Sequence, residues 1–224
     1  MAQIPFDFDH RPALGGEDFL VADSNIEAVQ WIELWPDWPR PVLVIVGLEG
    51  AGKTHLSHVF IGQSGAKVVT PELLASQGAD QVLEGQKALV VEDLQKYLAL
   101  GLEEDLLHLY NLAVEDEKKI LMTALRAPAQ LGVKLKDLSS RLNTATIAEI
   151  KAPDDAFLAA LIVKQFSDRQ LSIDQDVLRY MMARMDRSFA GVRSLIHAVD
   201  KLALAEKCAI TKPFLRRAFE NISE

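Results

Sequence analysis

At 224 residues the chain suits one domain or two small ones with a real core, so a fragment or a repeat array is not expected. Hydrophobic residues make up 49% and charged residues 25%, and mean hydropathy is +0.08, which excludes a disordered tail or a collagen-like polymer. The net charge of -8 argues against a protein whose main business is gripping a phosphate backbone. The acidity is uneven: residues 153–224 hold 11 Lys and Arg against 10 Asp and Glu, leaving 13 against 22 for the first part. No apolar run approaches the roughly 20 residues that span a bilayer, and Met1-Ala2-Gln3-Ile4-Pro5 lacks the basic start of a signal peptide. The expectation is therefore no membrane and a cytoplasmic location. A single cysteine, Cys208, excludes an intramolecular disulfide and a multi-cysteine zinc site, and reads as a small helix-packing residue.

In chain order, Trp31, Trp35 and Trp38 come first, with Pro36 and Pro39, and read as the packing of a helix and its exit turn. Apolar runs bounded by turn residues then recur: Val42-Leu43-Val44-Ile45-Val46, Ala66-Lys67-Val68-Val69, Ala88-Leu89-Val90-Val91, Ile120-Leu121-Met122-Thr123 and Thr146-Ile147-Ala148-Glu149-Ile150. Continuous β-branched runs suit strands covered on both faces. Between the third and fourth, Leu106, Leu107, Leu109, Tyr110, Leu112, Ala113 and Val114 lie in a stretch that opens with Glu103-Glu104-Asp105 and closes with Lys118-Lys119, the charge order of a helix dipole. Strand and helix alternating in this way predict a parallel α/β sheet. After Pro153 the strand-like runs stop. Four helices are expected, the first opened by Asp154, the second by Asp174, the third running from Phe189 to Lys207, and the last opened by Thr211 with Pro213 in its first turn. The fold expected is thus α/β, a P-loop parallel-sheet sandwich over residues 1–152 followed by a small all-helical lid over 153–224. The cluster Met181, Met182 and Met185 reads as lid core.

Gly47-Leu48-Glu49-Gly50-Ala51-Gly52-Lys53-Thr54 fits the phosphate-binding pattern G-x-x-x-x-G-K-S/T, directly after one apolar run and directly before a helical segment. Its glycines let backbone N–H groups turn inward around a phosphate, and the helix that follows adds partial positive charge. Lys53 would neutralise the β- and γ-oxygens, and the Thr54 hydroxyl would hold Mg²⁺. A second metal-anchoring carboxylate is expected at the tip of another buried strand, and Glu92-Asp93 follows Ala88–Val91. The usual order is Asp for the metal and then Glu for water; here it is reversed. Glu92 would reach the metal with one extra methylene and Asp93 falls one short for the water, so weak intrinsic hydrolysis is expected. Thr123 puts a hydroxyl at the end of a third strand, where it would orient water or sense the γ-phosphate. Arg141 in Leu138-Ser139-Ser140-Arg141-Leu142 and Arg193 in Phe189-Ala190-Gly191-Val192-Arg193 read, in isolation, as surface ion-pair residues. His55 and His58 stand three apart with no carboxylate at ligand spacing, so they are not read as a metal site.

Taken together these motifs resemble the AAA+ ATPases, and more narrowly the branch that holds the bacterial replication initiator DnaA and its regulatory paralogue Hda. Gly-Lys-Thr-His-Leu at 52–56, Thr123, Leu-Ser-Ser-Arg-Leu at 138–142 and Gly-Val-Arg-Ser-Leu at 191–195 carry the resemblance, which covers nearly the whole chain. Phe19-Leu20-Val21-Ala22-Asp23-Ser24-Asn25 is similar to the family's stretch bordering the adenine. The resemblance implies an adenine nucleotide, ADP or ATP, with Mg²⁺, held between core and lid by Gly47, Gly50, Ala51, Gly52, Lys53, Thr54, His55 and Arg193. It makes Thr123 the sensor 1 position, Arg193 the sensor 2 arginine and Arg141 an arginine finger used in trans.

Gln3-Ile4-Pro5-Phe6-Asp7-Phe8 resembles the short peptide with which regulators of this branch dock on the sliding clamp of the replicative polymerase. Gln3 would hydrogen-bond at the pocket rim while Ile4, Phe6 and Phe8 fill it; Pro5 and Asp7 interrupt the usual spacing, and the other reading is a terminal segment packed on its own domain. With the sequence ending at Glu224, no room is left for the initiator's DNA-reading domain, so direct sequence-specific DNA binding is not expected. The function implied is inactivation of DnaA by promoting hydrolysis of its bound ATP. The alternatives are an autonomous AAA+ ATPase that loads or remodels a partner and an adaptor working through partner contacts alone. A homo-oligomer that uses Arg141 head to tail stays open.

Overall fold

The computed structural model describes residues 19–171, 173–206 and 210–223. The expected clamp peptide, with Gln3, Ile4, Phe6 and Phe8, lies outside the described residues, as does Cys208. The chain divides into two compact units, one holding the described residues up to Gly47 with Gly52–Lys151, the other Leu48–Ala51 with the described residues from Ala152 onward.

In the first unit the elements run α1 (Ile26–Glu33), β1 (Val42–Gly47), α2 (Lys53–Ser64), β2 (Lys67–Val69), α3 (Pro71–Leu83), β3 (Ala88–Val91), α4 (Leu94–Ala99), α5 (Glu103–Glu115), β4 (Lys119–Ala124), α6 (Lys136–Thr144) and β5 (Thr146–Ile150). The strands form one sheet in the order β2-β3-β4-β1-β5, and every pairing is parallel. All residues of β1 and β3 are buried, as continuous apolar runs require when helices cover both faces. The two edge strands depart from that expectation. β5 alternates in exposure, and Val68 on β2 and Ile147 on β5 face solvent, because an edge strand has a neighbour on one side only.

Local signals explain the helices. Thr70 caps α3 by accepting from the Leu73 N–H, and Pro71 supplies its first residue. The structure corrects the reading of α5: the helix ends at Glu115 with no base in its last turn. Lys118 reaches the Leu83 carbonyl at 3.2 Å and Lys119 opens β4, its ammonium on the Trp38 carbonyl at 2.8 Å. The acids of the first turn still complement the helix dipole. The tryptophans pack as expected: Trp38 is buried, donates from its indole to the Trp31 carbonyl, and stacks on Phe60 with ring centres 5.0 Å apart. Tyr97 anchors α4, fully buried with its hydroxyl donating to the Val69 carbonyl, and burial raises its pKa above the ordinary tyrosine value.

The second unit contains α7 (Asp155–Asp168), α8 (Gln175–Met182), α9 (Phe189–Glu206) and α10 (Lys212–Ser223). Asp154 and Asp174 cap the first two, each accepting from the N–H three residues on at 2.7 Å. Leu158, Ile162, Phe166, Leu195, Phe214 and Leu215 form its core with Met181 and Met185. The methionines are lid core, as the sequence predicts. No helix among the described residues is long and apolar enough to cross a membrane.

Candidate functional site

Because every strand runs parallel, the C-terminal ends of β1, β3 and β4 share one edge of the sheet, the edge where α/β proteins place their ligands. β1 delivers the glycine loop. Gly50 and Gly52 have φ of +81° and +92°, a backbone region costly for any residue with a Cβ. At Gly52 a Cβ would also stand 2.9 Å from the Phe19 ring, so only hydrogen fits there. α2 begins at Lys53, and its first N–H groups have no partner within the helix. The Lys53 ammonium is buried at 7% exposure and donates to the Gly47 carbonyl at 2.7 Å. Thr54 is exposed, and the His55 ring stacks on Phe19 at 4.8 Å.

Ahead of α1, the segment 19–25 is held by Asn25. This side chain is 2% exposed, accepts from the Ala22 N–H and donates to the Leu20 carbonyl, both at 2.8 Å. The sequence reading marked the segment and missed the lock; a polar residue just before the apolar Ala28, Val29 and Ile32 was the available signal, and it reads equally well as a helix cap.

Glu92 and Asp93 follow β3 and diverge in environment. Glu92 has one carboxylate oxygen buried with no hydrogen-bond partner among the described residues, an acceptor that suits a cation. Asp93 sits at φ +56°, and its N–H donates to the Thr123 hydroxyl at 2.9 Å. β4 lies between β3 and β1 in the sheet, so Thr123, 1% exposed, sits beside both loops. Since its oxygen accepts from Asp93, its own proton is left to give elsewhere. The Asp93 carboxylate is occupied as well, by the Lys96 ammonium at 2.7 Å and by the Gln95 amide at 3.3 Å. The hydrogen bond and charge of Asp93 hold the Lys96 pKa above its ordinary value. Lys96 and Gln95 escaped the sequence reading, because a helix as short as α4 leaves almost no periodic signal.

Arg141 lies in the last turn of α6. It is exposed, and its guanidinium bonds to no described residue although Asp137 stands four residues earlier. Arg193 on α9 donates to Glu49 at 3.0 Å; both belong to the second unit. Gly191, in the first turn of α9, leaves no room for a side chain, since a Cβ there would lie 2.1 Å from the Asp186 carbonyl.

A parallel sheet in this strand order, a glycine loop closing on a lysine, acids at the next strand tip but one, and a helical unit after the last strand make an α/β P-loop fold. Domain III of the replication initiation protein DnaA from Thermotoga maritima shares this fold, with TM-score 0.74 at 22% identity over 91% of this chain and 93% of that one. AMPPCP-bound DnaA from Aquifex aeolicus matches with TM-score 0.64 at 22% identity, over 83% and 63%. The Thermotoga maritima RuvB Holliday junction branch migration motor matches with TM-score 0.64 at 16% identity, over 90% and 70%. Residues 154–219 match the family model of the Hda lid domain. The C-terminal helical unit thus resembles the lid domain of Hda, and the chain as a whole shares the fold of DnaA domain III.

Proposed function

We propose that this chain binds an adenine nucleotide and inactivates the initiator DnaA in the cytoplasm by promoting hydrolysis of DnaA's bound ATP. The observation that carries this is the exposed Arg141 guanidinium, which bonds to no described residue of its own chain and so stays available to another. An arginine supplied in trans stabilises charge developing on the transferring phosphoryl group and is worth about 10³–10⁵ in rate.

The chain's own nucleotide serves to order the site. The N–H groups at the start of α2, the glycine turn and Lys53 would hold its phosphates, with Gly47 and Ala51 as backbone of the cradle. Phosphate oxygens would take the Lys53 proton donors from the Gly47 carbonyl. Bound Mg²⁺ would neutralise phosphate charge, held by Thr54 and by the buried, partnerless oxygen of Glu92. His55 and the 19–25 segment would border the base. Arg193 would add a positive charge from α9, and Thr123 has a hydroxyl proton to offer the phosphate or a water. Gln3, Ile4, Phe6 and Phe8 would tether the protein to a DNA-loaded sliding clamp, raising its effective concentration near the initiator.

The test is the hydrolysis of labelled ATP pre-bound to DnaA, with clamp loaded on DNA. Acceleration by the parent that disappears with Arg141→Ala supports the reading. Turnover of ATP by the parent alone, with no effect on DnaA, overturns it in favour of an autonomous ATPase.

A further inference from the structure

ATP hydrolysis forms a bond from a water oxygen to the γ-phosphorus, breaks the bond to the β–γ bridging oxygen, and needs an acceptor for the proton that water loses. At the β3 tip two carboxylates compete for roles. Glu92 keeps a buried oxygen with no partner, which suits the metal, and leaves Asp93 as the proton acceptor. Asp93 is not at liberty. One of its oxygens lies 2.7 Å from the Lys96 ammonium and the other accepts from the Gln95 amide at 3.3 Å.

Neither the acid nor the base of this pair sits on a loose segment. The Asp93 backbone is fixed by its N–H bond to Thr123 and by a left-handed φ. Lys96 rides on α4, which Leu94 and Tyr97, both fully buried, pin to the sheet. The Gln95 side-chain Oε1 accepts from the Leu125 N–H at 3.4 Å, tying the same clamp to the residue just past β4. The charges of Glu92 and Glu72 add to the hydrogen bond and charge of Asp93 in keeping the exposed Lys96 ammonium protonated.

We infer that Lys96 is a positioning residue that holds the Asp93 carboxylate in an ion pair and so suppresses hydrolysis of the chain's own nucleotide. This rests on the proposal that the glycine loop binds ATP. It gives that reading a physical reason for slow consumption: a carboxylate held by an ammonium on one oxygen and an amide on the other is a weaker and less well placed proton acceptor for water than a free one. Such a brake suits a protein whose bound nucleotide orders a site for use on a partner, because turnover would empty or change that site.

The experiment measures phosphate release from ATP and Mg²⁺ by the full chain, alone, beside binding of a fluorescent ADP analogue. Lys96→Met, which keeps the stem and removes the charge, should raise kcat roughly tenfold with KM unchanged, within the range that general base catalysis supplies. Lys96→Arg should restore the low rate, which a merely structural loss would not do. Adding Asp93→Asn to Lys96→Met should abolish the gain. If Lys96→Met binds the analogue like the parent and turns over no faster, or if the parent alone already turns over as fast as the variant, the brake is refuted. Failure of the parent to bind the analogue would instead sink the nucleotide reading, and the brake with it.

Discussion

The strand tips of the first unit and the exposed face of α6 carry opposite kinds of polar group. Lys53, Asp93 and Thr123 are each engaged by a bond inside the chain, whereas the Arg141 guanidinium lies in solvent with no partner among the described residues. Leaving a buried polar group unpaired costs about 1–3 kcal/mol, so at the tips the fold itself demands internal partners. No such demand acts on an exposed arginine. The contrast separates groups suited to a ligand bound by this chain, which arrive preset by their neighbours, from a group suited to another molecule, which is left open. Glu92 is the informative exception, half-buried with one buried oxygen that has no partner among the described residues.

The sharpest way to break this contrast is Arg141→Ala. It should remove about 10³-fold or more of the acceleration of DnaA-bound ATP hydrolysis. The same change should move unfolding free energy by less than about 0.5 kcal/mol in a denaturant titration. A large loss of stability would show that Arg141 serves its own fold. Next in size, Lys53→Ala should weaken ADP binding at least about 100-fold, roughly 2.7 kcal/mol, by calorimetry. Unchanged affinity would remove the glycine loop from the site.

Thr123→Val sharpens the comparison from the stability side. It strands the Asp93 N–H beneath a methyl group, and a cost of about 1–3 kcal/mol is expected in urea unfolding. No change in midpoint would mean the bond to Thr123 contributes nothing. Asp154→Ala removes the cap of α7 and should cost about 1 kcal/mol, read from the melting temperature. Smallest of all, Arg187→Ala breaks only an exposed pair with Asp155 and should cost about 0–1 kcal/mol in the same assay.

Legibility followed locality. The glycine loop, the acids after Ala88–Val91 and the caps Asp154 and Asp174 were readable because each rests on residues a few positions apart. Lys118 and Lys119 misled for the opposite reason: their order suggested a helix end, while their contacts are with Leu83 and Trp38, far back in the chain. Asn25 and Lys96 stayed hidden because a residue's type does not say which carbonyl or carboxylate will stand beside it.

By itself the sequence determined the strand and helix alternation, the change to an all-helical C-terminal unit, and the glycine loop at the end of β1, since hydrophobic period and glycine spacing are local properties. Only the tertiary structure decided the strand order that sets β4 between β3 and β1 and brings Thr123 onto the Asp93 N–H across 30 residues of chain. It also decided that Asp93 is clamped while Glu92 keeps an unpartnered oxygen. The physical reason is that hydrogen bonds and ion pairs form between neighbours in space, and in a parallel sheet such neighbours come from distant parts of the chain.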